Sequence, residues 1–231
     1  MSAHPLLDKP AYTCQEAAHY LRLPAATLRS WTLGRDYPVQ GGTRRFTPII
    51  DIADRKNFYL SFTNLVEAHV LSAIRREHRI PLSKVRDAVR YLRSKFESDR
   101  PLAEHQFETN GIDLFVEKLG TLVNVSSEGQ LAMRDILELH LKRIERDTRG
   151  IPIRLYPFTH SKPDSGATGP VVIDPAVSFG RPIVRRLGVP TAMIAERYKA
   201  GEGIDELASD YGAQRDEIEE AIRCELEVRA A

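Results

Sequence analysis

Hydrophobic residues recur at helical spacing in a short N-terminal stretch of the chain. Ala17 and Leu21 fall on one face of a first helix, and Leu28 and Trp31 fall on one face of a second. Between them, residues 22–24 end in Pro24, and proline interrupts a helix because its ring removes a backbone donor. The pattern therefore predicts two short helices across a tight turn, which is a helix-turn-helix motif.

Thr13 is a candidate N-cap for the first helix, and Glu16 follows at the spacing of a capping box.

The outer face of the second helix carries polar side chains. In the second helix, Arg29 can fork onto a guanine edge or a phosphate, and the neighbouring hydroxyls can donate to either. This predicts a helix that lies in the major groove and contacts DNA through Thr27, Arg29 and Ser30. The alternative is an ordinary helical hairpin with solvated arginines.

Two apolar runs after this motif predict a β-hairpin. Residues 49–52 and 58–62 are expected to be strands on either side of the polar turn formed by residues 54–57. A hairpin beside a helix-turn-helix is a wing, and basic residues in its loops would contact phosphate or the minor groove. The predicted wing contacts are Arg44, Arg45, Arg55 and Lys56.

The next segment predicts a helix from Ser83, its candidate N-cap, to about Phe96. Val85, Val89 and Leu92 belong to its apolar stripe. Four cations lie mostly off that stripe, and they are either phosphate contacts or a solvated face: Lys84, Arg86, Arg90 and Arg93.

The middle of the chain predicts a small α+β element. Short strands are expected at residues 107–109, 113–117 and 119–125, with Asn110-Gly111 as a hairpin turn. Residues 129–147 predict a helix and residues 151–158 a final strand.

The C-terminal part predicts a second three-helix unit, but one of acidic character. Residues 161–170 have the composition of a linker, and helices are expected at residues 191–200, with Thr191 as the cap, 204–211 and 215–227. The last helix carries several carboxylates, which phosphate would repel: Asp216, Glu217, Glu219 and Glu220. This helix is therefore expected to contact protein rather than DNA.

Charge divides the chain in the same way. Residues 1–100 hold 17 Lys and Arg against 10 Asp and Glu, whereas residues 101–231 hold 16 against 22. The basic half fits a nucleic-acid partner, although a solvated basic surface is the plain alternative. The two cysteines form no metal motif, and no apolar run approaches the roughly 20 residues of a membrane span. The sequence predicts a cytoplasmic protein without metal, cofactor or membrane contact, and without a catalytic motif.

Together these patterns predict a mainly α protein with small β elements, in the α+β class. The expected order is a winged helix-turn-helix at residues 1–98, the α+β element at 99–160, a linker at 161–170 and a homeodomain-like unit of three helices at 171–231.

The N-terminal pattern resembles the winged helix of the MerR-type regulators. The resemblance implies DNA binding by residues 10–95. The predicted hairpin, between Arg45 and Thr63, is longer than the usual MerR wing, and no cysteine cluster follows that would imply metal sensing. The resemblance rests on Tyr12-Thr13, Glu16-Ala17-Ala18, Leu23-Pro24, Thr27-Leu28-Arg29 and Trp31.

The C-terminal pattern resembles the bacterial domain-of-unknown-function family numbered 433. The matching motifs include Val172-Ile173-Asp174-Pro175, Phe179-Gly180-Arg181-Pro182-Ile183, Gly188-Val189-Pro190-Thr191 and Tyr211-Gly212. After a MerR-like domain, this pairing resembles antitoxins of the VapBC type, which implies a PIN-domain ribonuclease toxin as partner and repression of the antitoxin's own operon. A stand-alone MerR-like transcriptional regulator is the alternative. Helix-turn-helix proteins also commonly bind DNA as dimers, so we expect a homodimer.

Three arginines at the start of this unit are the candidate toxin contacts: Arg181, Arg185 and Arg186. A PIN nuclease holds Mg²⁺ with carboxylates, and a guanidinium forks onto a carboxylate without losing its proton. The alternative for Arg181 is that it ties down its own turn through local carbonyls.

Overall fold

Helices dominate the computed structural model of the chain, which describes residues 5–39, 41–78, 80–157 and 168–226. The sheets are small, with two two-stranded sheets in the N-terminal part and one five-stranded antiparallel sheet that begins at Ile144. The expected mainly α, α+β class is confirmed. Within the described residues, no helix combines the length and apolar character needed to cross a membrane.

The N-terminal part begins with the expected helix-turn-helix. Thr13 accepts a hydrogen bond from the Glu16 backbone at 3.2 Å, and the Glu16 carboxylate accepts one from the Thr13 backbone at 2.9 Å, which completes the capping box. The elements of this part are β1 (Tyr12–Thr13), α1 (Cys14–Tyr20), α2 (Ala25–Thr32), β2 (Arg35–Val39), β3 (Gly42–Phe46), β4 (Tyr59–Leu60), α3 (Phe62–His78) and α4 (Leu82–Phe96).

The predicted position of the wing is wrong. The hairpin is β2–β3, which pairs Arg35 with Phe46 and turns through Gly41, whose φ is +91°. Residues 49–52 form no strand, because Ile49 and Ile50 are buried and donate their N–H groups to the carbonyl of Trp31. Of residues 58–62, only β4 is a strand, and it pairs with β1. The wing is therefore a short hairpin before residue 49, rather than a long one between Arg45 and Thr63.

The middle part is more helical than the pattern predicted. The strands expected within residues 107–125 are wrong, because Ile112, Phe115 and Leu119 recur at helical spacing and are buried on one face of a helix. Gly111 lies in a π-helical turn, where a Cβ atom would approach the Phe107 ring to 2.8 Å. The elements are a 3-10 turn (Pro101–Ala103), the π-helical turn (Phe107–Gly111), α5 (Ile112–Val123), α6 (Ser127–Leu141), β5 (Ile144–Arg146) and β6 (Pro152–Leu155).

The C-terminal part contains the three expected helices. Thr191 is the first helical residue of α7 rather than its cap, and its hydroxyl donates to the Pro182 carbonyl at 3.2 Å. Similarly, α4 begins before Ser83, so Ser83 does not cap it. Residues 161–167 of the predicted linker lie outside the described residues. The elements are β7 (Val171–Ile173), a 3-10 turn (Ser178–Gly180), β8 (Pro182–Val184), β9 (Val189–Pro190), α7 (Thr191–Lys199), α8 (Ile204–Tyr211) and α9 (Arg215–Glu225).

The two largest clusters of buried side chains among the described residues organise these elements. The larger one includes Leu28 of α2, Leu92 of α4 and Leu137 of α6, so the N-terminal and middle parts share a core. The smaller one lies among the C-terminal helices and includes Ile194 and Leu207. The five-stranded sheet, in the order β5-β6-β7-β8-β9, runs from the middle part into the C-terminal part. The domain boundaries given above stay predictions.

Helix α1 and the residues on either side of it also contact the C-terminal part directly. The buried hydroxyl of Tyr12 donates to the Gly180 carbonyl at 3.0 Å, and Arg181 forms an ion pair with Glu16 at 2.7 Å. Arg22, just after α1, donates to the Arg223 carbonyl of α9 at 2.8 Å. The C-terminal unit is therefore anchored on the first helix of the helix-turn-helix.

Glu67 is a buried carboxyl within α3. It is 2% exposed, and it accepts a hydrogen bond from the Asn64 amide at 3.1 Å. Burial raises the pKa of Glu67 to about 7, although the Asn64 hydrogen bond and the charge of Arg100 oppose the shift. In the unfolded chain this carboxyl loses its proton near pH 4.5. Between these two pH values the folded state holds the extra proton, so stability falls as pH rises to about 7 and is then unaffected by this group.

Replacing Glu67 with Gln should remove this pH dependence, because an amide keeps the polar contact and does not titrate. The stability advantage of Glu67→Gln over the unmodified chain should grow by about 2–3 kcal/mol from pH 5 to pH 8. Urea unfolding of both proteins at the two pH values measures this difference. Glu117→Gln, at an exposed position of α5, is the control and should show no such growth. An advantage of equal size at both pH values would contradict the assignment.

Candidate nucleic-acid interface

The exposed face of α2 is narrow and cationic. Leu28 and Trp31 are fully buried and fix the helix against the core, whereas Ala26 and Arg29 are exposed. Because α2 carries no acidic residue, nothing within the helix cancels the charge of Arg29. A small side chain beside a guanidinium lets the helix approach a base edge closely.

Thr27 and Ser30 lie on the same turn of α2 and are partly buried. The Ser30 hydroxyl donates to the Thr27 carbonyl at 2.7 Å, so its proton is held by the helix itself. Ser30 can therefore accept a hydrogen bond, but it offers no free donor to a phosphate. Thr27, Arg29 and Ser30 are brought together as predicted, and their contact with DNA stays a prediction.

Both ends of α2 are held in place by other elements. At its C-terminal end, the Trp31 carbonyl accepts from the N–H groups of Ile49 and Ile50 at 2.8 Å and 3.0 Å. At its N-terminal end, the Cys14 thiol donates to the Ala25 carbonyl at 3.8 Å. Burial raises the pKa of this thiol, and the guanidinium of Arg29 opposes that shift. A neutral thiol on α1 thus packs against α2 and helps to fix the position of α2 relative to α1.

The wing adds cations beside this helix. Arg45 lies on β3, is exposed, and donates to the Leu33 carbonyl at 3.4 Å. Arg44 is the preceding residue of the same strand, opposite Tyr37. Arg35 on β2 is also exposed, and the sequence reasoning missed it because that segment was not expected to be a strand. Its signal was the Gly41-Gly42 pair, which marks the turn between two short strands.

Arg55 and Lys56 do not belong to the wing, which corrects the predicted arrangement. They lie in a turn closed by Asp54, whose carboxylate accepts from the backbone of Lys56 at 2.9 Å and of Asn57 at 3.0 Å. Arg55 forms an ion pair with Asp51. This turn follows the wing in the chain, so the two residues lie outside the hairpin, and Arg55 lines a cavity together with residues of α4.

The three C-terminal arginines have different surroundings. Arg181 pairs with Glu16 of α1 and so ties down the junction rather than its own turn. Arg186 pairs with Glu217 at 2.8 Å and lowers the pKa of that carboxyl. Arg185 is exposed, and its guanidinium lies 5.9 Å from the centre of the Tyr156 ring. Of the three, Arg185 is the one for which the described residues show no ion pair.

The sequence reasoning also missed Phe179. This side chain is 92% exposed, although the ring is large and apolar. Ser178 and Phe179 both have left-handed backbones, with φ of 47° and 55°, a conformation that costs energy for residues other than glycine. The strained turn holds the ring away from the protein. The sequence signal was an aromatic residue inside a Ser-Phe-Gly turn.

Two family models match the two ends of the chain. A model described as "Putative DNA-binding HTH domain" matches residues 10–89, and one described as "Protein of unknown function (DUF433)" matches residues 171–223. The resemblance to the family numbered 433 and the helix-turn-helix character of the N-terminal part are thereby confirmed.

Relatives from Mycobacterium tuberculosis match over nearly the whole chain. The protein described as "Putative antitoxin VapB45" is 30% identical over 234 residues, which cover 93% of this chain and 93% of that protein. The chain belongs to the VapB45 family. "Uncharacterized protein Rv2308" is 26% identical over 230 residues, which cover 96% of this chain and 92% of that protein.

A solved structure shares the fold of this VapB45-family chain. The crystal structure of Rv2018 from Mycobacterium tuberculosis superposes with a TM-score of 0.67 at 24% identity, covering 94% of this chain and 99% of that one. The VapB45 family and the helix-turn-helix match place the chain among antitoxin-like regulators.

Two substitutions distinguish a contact to a DNA base, expected for Arg29, from a contact to backbone phosphate, expected for Arg45. Arg29→Ala should weaken binding to the chain's own promoter about ten-fold or more, and weaken a random duplex less, because a forked base contact is lost. Arg45→Ala should weaken both duplexes alike and lower the slope of log affinity against log salt by about 0.9. Gel-shift titrations at several salt concentrations measure both effects.

Arg134→Ala is the matched control, because Arg134 lies on α6 and pairs with Asp113 and Glu138. An Arg29→Ala protein that binds both duplexes as well as this control would remove α2 from the interface.

Proposed function

We propose that this chain is the antitoxin of a type II toxin–antitoxin pair. It binds DNA at its own promoter through α2 and the wing, represses that operon, and neutralises a PIN-domain ribonuclease by direct binding through its C-terminal unit. As an antitoxin it acts by binding and carries no catalysis of its own. The sequence relationship to the protein described as "Putative antitoxin VapB45" supports this proposal.

The opposite charge of the two helical units carries the proposal. Helix α2 has an exposed arginine and no carboxylate. Helix α9 has the equivalent position in the second unit but begins with Arg215, Asp216 and Glu217, and both α8 and α9 are acidic in their first turns. Phosphate attracts the first surface and is repelled by the second. One unit therefore suits DNA, and the other suits a protein.

Arg185 is the toxin contact that the geometry favours among the three predicted arginines. Arg181 and Arg186 already hold Glu16 and Glu217, so using them would break internal ion pairs. Arg185 stacks near a neutral ring and stays exposed. A guanidinium in this state can fork onto the carboxylates with which a PIN nuclease holds Mg²⁺, and would thereby block the metal site.

Phe179 supplies the apolar part of the same contact. Exposed aromatic side chains act as anchors when they enter a pocket on a partner, and they dominate the binding energy of many interfaces. The turn that carries Phe179 is fixed by the hydrogen bond from Tyr12 to Gly180, so the ring loses little freedom on binding. We therefore place Phe179 with Arg185 in the toxin-binding surface.

The proposed DNA-binding form is a homodimer. Two recognition helices spaced by about 34–36 Å would enter successive major grooves on one side of the duplex. An operator with two related half-sites at that spacing supports the dimer, and a single half-site would leave a monomer.

Co-expression of the tagged chain with the product of the neighbouring open reading frame tests the antitoxin function. A stable complex is expected, whose partner cleaves RNA only after release from the chain. A chain that purifies alone from cells that tolerate the neighbour would instead support the stand-alone regulator.

In that complex, Phe179→Ala and Arg185→Ala should each weaken partner affinity about 10- to 100-fold, as for central interface residues. Leu131→Ala and Arg149→Ala are the matched controls, because both side chains are exposed on the middle part. Calorimetric titration of the separated partner measures the affinities. Equal affinities for test and control variants would move the toxin contact elsewhere on the chain.

A further inference from the structure

A cavity of about 330 Å³ lies between α4 and the segment that follows the wing. One wall is formed by residues 47–51 together with Arg55, and the other by one face of α4. Neither wall belongs to α2 or to the C-terminal unit, so the cavity is separate from the two surfaces described above. The α4 residues that line it are Arg86, Val89, Arg90 and Arg93.

The lining of this cavity is strongly cationic. Arg86, Arg90 and Arg93 recur at four- and three-residue intervals, so they share one face of α4. Arg55 faces them from the other wall. Among the described residues of the lining, Asp51 is the one acidic side chain, and it pairs with Arg55. Outside the lining, Asp87 forms an ion pair with Arg90 at 3.2 Å on the exposed surface of α4. Positive charge is therefore concentrated where the fold leaves an opening.

Two of these guanidinium groups are oriented by neutral acceptors. Arg86 donates from Nε to the Thr47 carbonyl at 2.8 Å, and its guanidinium lies 4.7 Å from the centre of the Phe46 ring. Arg93 donates to the Ile49 carbonyl at 2.7 Å. Carbonyl and ring contacts fix the direction of a guanidinium. The cations are thus held in position for an anion.

Arg93 also carries a buried hydrogen-bond donor without an acceptor among the described residues. Its Nε–H is buried and has no hydrogen-bond acceptor within the described residues. A buried donor without an acceptor is costly, and native structures normally satisfy such groups. An oxyanion in the cavity would provide that acceptor.

We propose that this cavity binds a phosphate group. Planar guanidinium forks match the oxygens of a phosphate in both geometry and charge. The source is either a phosphodiester of the DNA backbone or the phosphate of a small molecule. In both cases the ligand would stabilise the base of the wing, because the wall residues Ile49 and Ile50 are bonded to the end of α2 at Trp31.

Calorimetric titration of the full chain with inorganic phosphate, at constant ionic strength set by chloride, tests the site. Saturable binding is expected, and Arg90→Ala should weaken it about ten-fold because a charged fork is lost. Arg90→Lys should fall between the two, since it keeps the charge but not the fork. Arg90 is largely exposed, so these variants should keep the melting temperature of the unmodified chain.

Lys95→Ala is the matched control, since it removes the same charge from the same helix outside the cavity. Phosphate binding that does not saturate, or equal losses for Arg90→Ala and Lys95→Ala, would overturn the proposal.

A second titration, with a saturating random-sequence duplex present, identifies the source of the phosphate. If the DNA backbone occupies the cavity, the duplex displaces inorganic phosphate, and Arg90→Ala lowers the salt slope of duplex binding by about 0.9. If a small molecule is the ligand, phosphate binds the duplex complex with undiminished affinity. Either result supports the site. The first titration needs neither DNA nor toxin, so failure of the proposed antitoxin function leaves it interpretable.

Discussion

The ion pair between Arg181 and Glu16 is the interaction on which the arrangement of the two ends depends. Glu16 has two tasks, because the same carboxylate also accepts from the Thr13 backbone and completes the capping box of α1. The group that closes the first helix of the DNA-binding unit therefore also holds the C-terminal unit. A change on one side of this junction alters the contacts available to the other.

Beside this ion pair, the hydrogen bond from Tyr12 fixes a strained turn. Gly180 has a φ of +76°, and a Cβ atom there would collide with the Tyr12 hydroxyl, so the position requires glycine. Burial raises the pKa of Tyr12 well above its usual range, which keeps the hydroxyl protonated as a donor. The strain at Ser178 and Phe179 is thus held by a contact from β1. The hydrogen bond from Tyr12 to Gly180 therefore both joins the C-terminal unit to the helix-turn-helix and holds Phe179 exposed.

Local patterns predicted some of these features and missed others for physical reasons. The helix-turn-helix was predictable because a capping box, a proline break and a short apolar spacing all act within a few residues. The wing was not, because buried Ile49 and Ile50 have the composition of a strand although their partner is the end of α2. The Asn110-Gly111 pair has the composition of a hairpin turn, but tertiary packing placed it in a π-helical turn. Glu16, the partner of Arg181, is far from it in the sequence, so no local pattern could predict this ion pair.

The helix-turn-helix is thereby connected to the rest of the chain at two different points. Strand β1 and helix α1 are bound to the C-terminal unit through Tyr12 and Glu16, whereas the end of α2 is bound through Trp31 to the segment that lines the arginine cavity. Because α1 and α2 pack together through a common core, a displacement of either one is transmitted to the other. A protein partner at the C-terminal unit and a phosphate in the cavity would therefore act on the same recognition helix through separate contacts. In this arrangement the protein partner and the phosphate would each change the affinity for DNA without contacting one another.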